Sequence, residues 1–120
     1  VRQYRKPAED ALLEVPAGGV EDGEISEEAV LRELQEEIGY TADHIEHLSS
    51  FWVAPGWATE YMHAYLARGL RESRLDGDED ENIEVVRLRF DEAVSMLKSG
   101  EINDGKTIAA LLLAQPLLDL

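Results

Sequence analysis

Hydrophobic and polar positions fall into stretches of different period along the chain. Val1 to Arg5 reads as a strand-like opening segment and Leu12 to Val15 as a second short strand. Pro16-Ala17-Gly18-Gly19 and Asp22-Gly23 are clusters of turn residues, which predict a loop from Pro16 to Ile25. The pattern then turns helical over Glu27 to Ile38. At ~100° per residue, Val30, Leu31, Leu34 and Ile38 share one face, while Glu33, Glu36 and Glu37 gather on an adjoining one. Ser26 stands where an N-cap belongs, Glu27 and Glu28 fill the first turn, and Gly39 is placed to end the helix.

Farther along, Leu48 to Val53 and Tyr61 to Ala67 read as strands of a hairpin, with Ala54-Pro55-Gly56-Trp57 as a turn between them. Val86, Leu88 and Phe90 alternate with Arg87 and Arg89, the period of a half-buried strand, and Asp91 is expected to cap a short helix. Asp104 is expected to cap a last helix through Thr107, Ile108, Leu111 and Leu112, which Pro116 should stop. Strands and helices alternate without repeats, and this order favours an α/β sandwich.

Length and charge narrow the possibilities. The 120 residues, 44% of them hydrophobic, suffice for one core, so a single domain over 1–120 is expected. Opening at Val1 without Met, inside a strand-like stretch, leads us to expect an upstream segment. Eleven Lys and Arg against 26 Asp and Glu give a net charge of −15, which would repel a nucleic-acid backbone; no nucleic-acid partner is expected. A phosphorylated ligand meets the same repulsion unless divalent cations or local arginines screen the carboxylates. The lack of cysteine excludes disulfides, thiolate zinc sites and a cysteine nucleophile, and suits a cytoplasmic setting. The longest apolar run, Ile108 to Ala114, falls far short of the roughly 20 residues of a membrane-spanning helix, and no signal peptide is seen.

The chemistry is concentrated in one motif: Gly18, five residues, Glu24, seven residues, then Arg32-Glu33-Leu34-Gln35-Glu36-Glu37-Ile38-Gly39-Tyr40. Three carboxylates at i, i+3 and i+4 repel one another by a few tenths of a kcal/mol per pair, so something should compensate them. Magnesium, a hard cation that prefers carboxylate and carbonyl oxygens, suits such a face. A solvated helix surface is the ordinary reading of a charge run, but it does not account for the glycine loop and the fixed spacing.

This motif resembles the Nudix box. It meets every fixed Gly, Glu and Arg, and Tyr40 alone departs, standing where the strict pattern wants an aliphatic residue. The resemblance implies a Nudix-type α/β/α sandwich with a mixed β-sheet and a hydrolase that depends on Mg2+, or on Mn2+ in its place. It implies Glu33, Glu36 and Glu37, with the Ala17 carbonyl, as metal ligands, and Glu36 and Glu37 as catalytic. Glu24 and Arg32 are read as a pair fixing loop against helix, with Gly18 and Gly39 as further structural positions of the motif.

Leu13-Glu14-Val15-Pro16-Ala17-Gly18 and the Ala54-Pro55-Gly56-Trp57 turn are similar to the ADP-ribose pyrophosphatase branch, in which a proline follows the box glycine at about the distance of Pro55. That similarity implies a nucleoside-diphosphate sugar as substrate, AMP and a sugar phosphate as products, and a homodimer. It suggests Glu81 as the base that approaches the attacking water, with Glu79 and Asp80 as substitutes. It suggests that Arg2 or Arg5 reaches the substrate phosphates, although strand-surface charge is an equal reading. Gly18 and Pro55 are grouped with the substrate site; Trp57 either stacks on the substrate or packs on the sheet.

Other residues and other functions admit different readings. Asp76, Asp78 and Asp80 imitate the start of an EF-hand loop, but Glu81 and Arg87 stand where that loop needs Gly and a bidentate Glu. His44, His47 and His63 are scattered and read as structural or surface groups. Another nucleoside-diphosphate derivative as substrate, or a non-catalytic nucleotide-binding module, remains compatible with the fold.

Overall fold

A computed structural model describes residues 1–75 and 82–118. Strands β1 (Arg2–Arg5) and β2 (Asp10–Leu13) form an antiparallel hairpin with Arg2 opposite Leu13 and Arg5 opposite Asp10. A 3-10 turn over Lys6–Ala8 joins them, with proline in its first turn, where a missing N–H costs nothing. β2 begins earlier than its apolar residues suggest because backbone pairing to β1 carries Asp10 and Ala11 into the ladder.

Helix α1 (Ser26–Glu37) lies where the helical period placed it, with one correction at its start. Ile25 occupies the N-cap, and no side chain caps the helix. Ser26 Oγ lies 2.5 Å from Tyr65 Oη instead, so a tertiary contact has taken the hydroxyl that local reasoning assigned to the cap. At the other end Gly39 turns the chain at φ +77, a conformation that favours glycine, and its N–H donates to Leu34 O at 3.0 Å.

Strands β3 (Tyr40–Trp52) and β4 (Tyr61–Glu72) then pair antiparallel, from Tyr40 opposite Glu72 to Trp52 opposite Tyr61, with an irregularity between His47 and Ser49. This hairpin is much longer than the expected pair of strands. Residues 40–47 mix Asp, His and Glu with apolar residues and show no clean alternation, so only their pairing partner reveals them as strand.

The expected strand through Val86 and Phe90 is not formed. β5 (Ile83–Glu84) pairs with β1 for two residues, and Phe90 opens helix α2 (Phe90–Ser99). Val86 and Leu88 still turn inward while Arg87 and Arg89 face water, so the alternation reported burial correctly and pairing incorrectly. Asp91 is likewise inside the helix; Arg89 holds the N-cap, and the Asp91 carboxylate pairs with Arg89 Nε at 3.1 Å. Asp104 does cap α3 (Gly105–Ala114), accepting from the Thr107 N–H at 3.1 Å, and Pro116 lies in the 3-10 turn that follows.

Leu13, Ala93 and Ile102 form a buried cluster, on which Val86, Leu88, Met96, Leu97, Ile108 and Leu111 pack, so α2 and α3 close over the β1–β2 sheet. α1 lies against β3, and α3 also touches β3 and β4. The class is α/β, as expected; the described strands lie in two antiparallel sheets, β2-β1-β5 and β3-β4, rather than in one mixed sheet. Among the described residues no helix is long and apolar enough to cross a membrane.

Candidate active site

The loop from 14 to 25 is folded back onto α1 by one guanidinium. Arg32 Nε and Nη2 donate to the two carboxylate oxygens of Glu24 at 2.8 and 3.0 Å, the fork geometry that arginine favours. Nη2 also reaches the Gly19 carbonyl at 2.8 Å. Nη1 donates to Glu33 at 2.9 Å and Glu36 at 3.1 Å, so three carboxylates converge on one cation. The Arg32 hydrogen bond, with one from the Glu21 backbone, holds the Glu24 carboxyl below its ordinary range; the Glu24 contact in turn raises the Arg32 guanidinium further above its own.

Gly18 and Ala17 receive the other carboxylates of the helix. A Cβ placed on Gly18 would overlap the Glu33 carboxylate, so this glycine lets that carboxylate lie against the loop, and it is not there for an unusual φ. Glu37 is 8% exposed and accepts the Ala17 N–H at 3.0 Å. It and Ala29 are the buried residues of α1, so the helix presents an acid, as well as its apolar stripe, to the interior. Gly18, Val30 and Glu33 form part of the wall of a cavity of about 880 Å3, which continues to Tyr61, His63 and Tyr65 on β4 and to Lys106 on α3. That volume lies within the range of small-molecule sites, ~300–1,000 Å3.

The donor set is of one kind: the Ala17 carbonyl and the carboxylates of Glu33, Glu36 and Glu37 are all hard oxygens. Their chemistry fits a divalent cation such as magnesium. Arg32 supports the same reading, since a positive group already bridges Glu33 and Glu36. No group of three or more His, Cys, Asp or Glu side chains among the described residues is drawn together to metal-ligand geometry, so the chemical fit exceeds the geometric one.

The other expected residues are dispersed. Arg2 and Arg5 stand three apart on β1 and so on opposite faces; Arg2 pairs loosely with Glu84 at 3.9 Å, and Arg5 is engaged by Glu14. Pro55 and Trp57 are exposed in a turn closed by the Ala58 N–H on Ala54 O at 2.9 Å, and neither lines the cavity. Trp57 is 87% exposed, which excludes packing on the sheet. Tyr40 begins β3, and Arg87 lies over its ring at 5.7 Å and donates to its hydroxyl at 2.8 Å, so the departure from the aliphatic pattern serves a cation–π contact. His47, Ser50 and His63 are hydrogen-bonded in series at 2.8 and 2.7 Å on the hairpin. Glu79, Asp80 and Glu81, and the EF-hand-like Asp76 and Asp78, lie outside the described residues.

Sequence reasoning missed a second group of charges. Glu14, its side chain 1% exposed, receives Arg5 Nε and Nη2, each at 2.8 Å, and Lys106 Nζ at 2.5 Å. Lys106 also reaches Asp104 at 3.0 Å, and Asp104 accepts the Thr107 hydroxyl at 2.6 Å. Burial alone would push the Glu14 carboxyl up; the hydrogen bonds from Arg5 and Lys106 outweigh it and leave the group below its ordinary value. A glutamate between Leu13 and Val15 at the end of a strand was the available signal, because a charge in an apolar run needs a buried partner.

Comparison with known proteins agrees with this geometry. A "Methanol dehydrogenase activator" of Bacillus methanolicus is 44% identical over 113 residues, and an "ADP-ribose pyrophosphatase" of Bacillus subtilis (strain 168) is 42% identical over 113. Each alignment covers 92% of this chain, and the chain spans 61% of the length of each relative. A solved structure described as "Crystal structure of ADP compounds hydrolase" superimposes with a TM-score of 0.89 at 30% identity, covering 98% of this chain and 63% of that one. The family described as NUDIX domain matches residues 1–111. With the box helix, the glycine loop and the sheet arranged as above, the chain belongs to the NUDIX family.

Proposed function

We propose that this chain hydrolyses the pyrophosphate linkage of a nucleoside-diphosphate sugar, with ADP-ribose as the leading candidate, releasing AMP and a sugar phosphate. The observation that carries this reading is Glu33 in the cavity wall, lodged against Gly18, with Glu37 on the same helix held by the N–H of Ala17, itself a wall residue. The names of the 42%-identical relative and of the superimposed structure support the same substrate class.

Ala17 O, Glu33, Glu36 and Glu37 are the residues that would hold Mg2+, or Mn2+ in its place. The chemistry such a cation supplies when bound is neutralisation of the diphosphate and a lower pKa for water. Arg32 keeps Glu33 and Glu36 directed to one side of the helix, and Glu24 keeps Arg32 in place. Glu36 and Glu37 are the box residues assigned to catalysis, and Glu81 is assigned to take the proton of the attacking water. Either Arg2 or the guanidinium nitrogen of Arg5 that Glu14 leaves uncommitted is assigned to the phosphates. Gly18, a residue of the cavity wall, and Pro55 and Trp57, exposed in the turn outside it, are assigned to the substrate. Water attacks one phosphorus, the P–O–P bridge breaks, and its oxygen leaves with the other product.

The family match over residues 1–111 supports a single domain, and the charge of −15 argues against a nucleic-acid partner. Exposed Trp52, Val53, Trp57 and Tyr61 support a homodimer; the absence of cysteine supports a cytoplasmic setting. A second reading follows from the relative named as an activator: a domain that acts on another protein, with or without turnover of a nucleotide. Incubation with ADP-ribose, other nucleoside-diphosphate sugars and a dinucleotide, with Mg2+ and with chelator, separates them. AMP release that chelator abolishes and Glu37→Gln abolishes is expected. No cleavage across the panel favours the second reading.

A further inference from the structure

The buried charges around Glu14 form a circuit that returns to its starting point. The Glu14 carboxylate holds Lys106, Lys106 holds Asp104, Asp104 accepts the Thr107 hydroxyl proton, and Thr107 Oγ1 accepts the N–H of Val15 at 3.0 Å. The path therefore leaves from one residue and re-enters at the next. Thr107 is 2% exposed, and its one hydroxyl proton is committed to Asp104 at 2.6 Å. Its lone pairs are thereby turned toward Val15.

Immediately after Val15 the chain has little freedom. Pro16 fixes its own φ and has no N–H, and the Ala17 N–H is taken by Glu37 on α1 at 3.0 Å. The two N–H groups between 15 and 17 are thus both bound by side chains, one from α3 and one from α1. Rotating either peptide breaks one of these bonds.

We propose that Thr107, oriented by Asp104 and by the Glu14–Lys106 pair, is a positioning residue that aims the Ala17 carbonyl and the Gly18 backbone at the carboxylates of α1. The proposal rests on the metal assignment made above. It gives a role to Asp104 and Thr107, which do not line the cavity, and it predicts that a hydroxyl on the third helix tunes cation affinity at the first.

The test is Mn2+ binding to the full chain without substrate, read from the loss of the free Mn2+ EPR signal. Thr107→Val keeps the side chain's shape and removes the hydroxyl, and it should bind Mn2+ about tenfold more weakly, the low end for loss of an outer-shell partner. Thr107→Ser should bind within about twofold of the parent, since it restores the hydroxyl. Parental affinity in a folded Thr107→Val protein overturns the proposal. If Thr107→Val does not fold, Thr107→Ala, which removes the hydroxyl without filling its space, must show the weakening, and parental affinity there overturns the proposal equally. A parent that binds no Mn2+ overturns it together with the metal assignment. A parent that binds Mn2+ but cleaves no nucleoside diphosphate refutes the hydrolase reading alone.

Discussion

Glu14 and Asp104 meet two cations, Arg5 and Lys106, whereas Glu24, Glu33 and Glu36 converge on the guanidinium of Arg32. The first group is balanced and centred on the buried Glu14, with its carboxylates and cations satisfying one another. The second carries more negative than positive charge and borders a cavity. A balanced buried group is complete as it stands, and its removal is felt in stability. An unbalanced group beside a cavity has capacity left for a further cation, and its removal is felt in binding and rate. The two lie on either side of Val15 to Ala17, so one short stretch of backbone joins the part that is finished to the part that awaits a ligand.

The largest effect that sharpens this contrast is on rate. Glu36→Gln should lower AMP release about a thousandfold, the loss of several kcal/mol of charge stabilisation, while leaving the urea midpoint nearly unchanged, since Glu36 is partly exposed. Equal losses of rate and stability would erase the distinction between the two groups. Glu14→Gln should behave in the opposite way, costing about 3 kcal/mol in urea denaturation, the low end for breaking a buried pair because Arg5 remains partly in water.

The same group has an acid signature. Its folded carboxyl lies below the 4.5 of an unperturbed glutamate, so the unfolded chain takes up the proton first as the pH falls. The contribution is fully present above that unfolded value and is lost as the pH falls through the folded one. Stability measured from neutral pH down to about 3 should fall less steeply in Glu14→Gln than in the parent.

Next in size is Gly18→Ala, whose methyl group displaces the Glu33 carboxylate. A misplacement of about 1 Å should cost up to about a hundredfold in rate, with folding retained by circular dichroism. Smallest is the control Asp43→Asn, which removes an exposed pair with Arg71 and should change stability by no more than about 0.5 kcal/mol. A larger change would mean that exposed pairs are as important here as the buried cluster.

Much of the acidic region was legible in the sequence because its parts are close along the chain. Glu33, Glu36 and Glu37 share a helix face by period alone, and Glu24 lies eight residues from Arg32, within reach of one loop. The Asp104 cap was legible for the same reason, with acceptor and donor three residues apart. Glu14 and Lys106 are 92 residues apart, and no local period connects them. Ser26 shows the limit even for a short-range rule: its hydroxyl satisfied every local requirement of a cap and went to Tyr65 instead, 39 residues away.

By itself the sequence determined the box helix, the glycine loop before it, the existence of the central hairpin and the excess of negative charge, because each follows from spacing, turn chemistry or composition. The tertiary structure alone decided where β3 begins, why Val86 to Arg89 stay unpaired among the described residues, and which cations neutralise Glu14. Those outcomes depend on partners distant in the chain. Burial makes a charge choose whichever opposite charge the fold brings within hydrogen-bonding distance, and that choice exists only once the chain has closed around it.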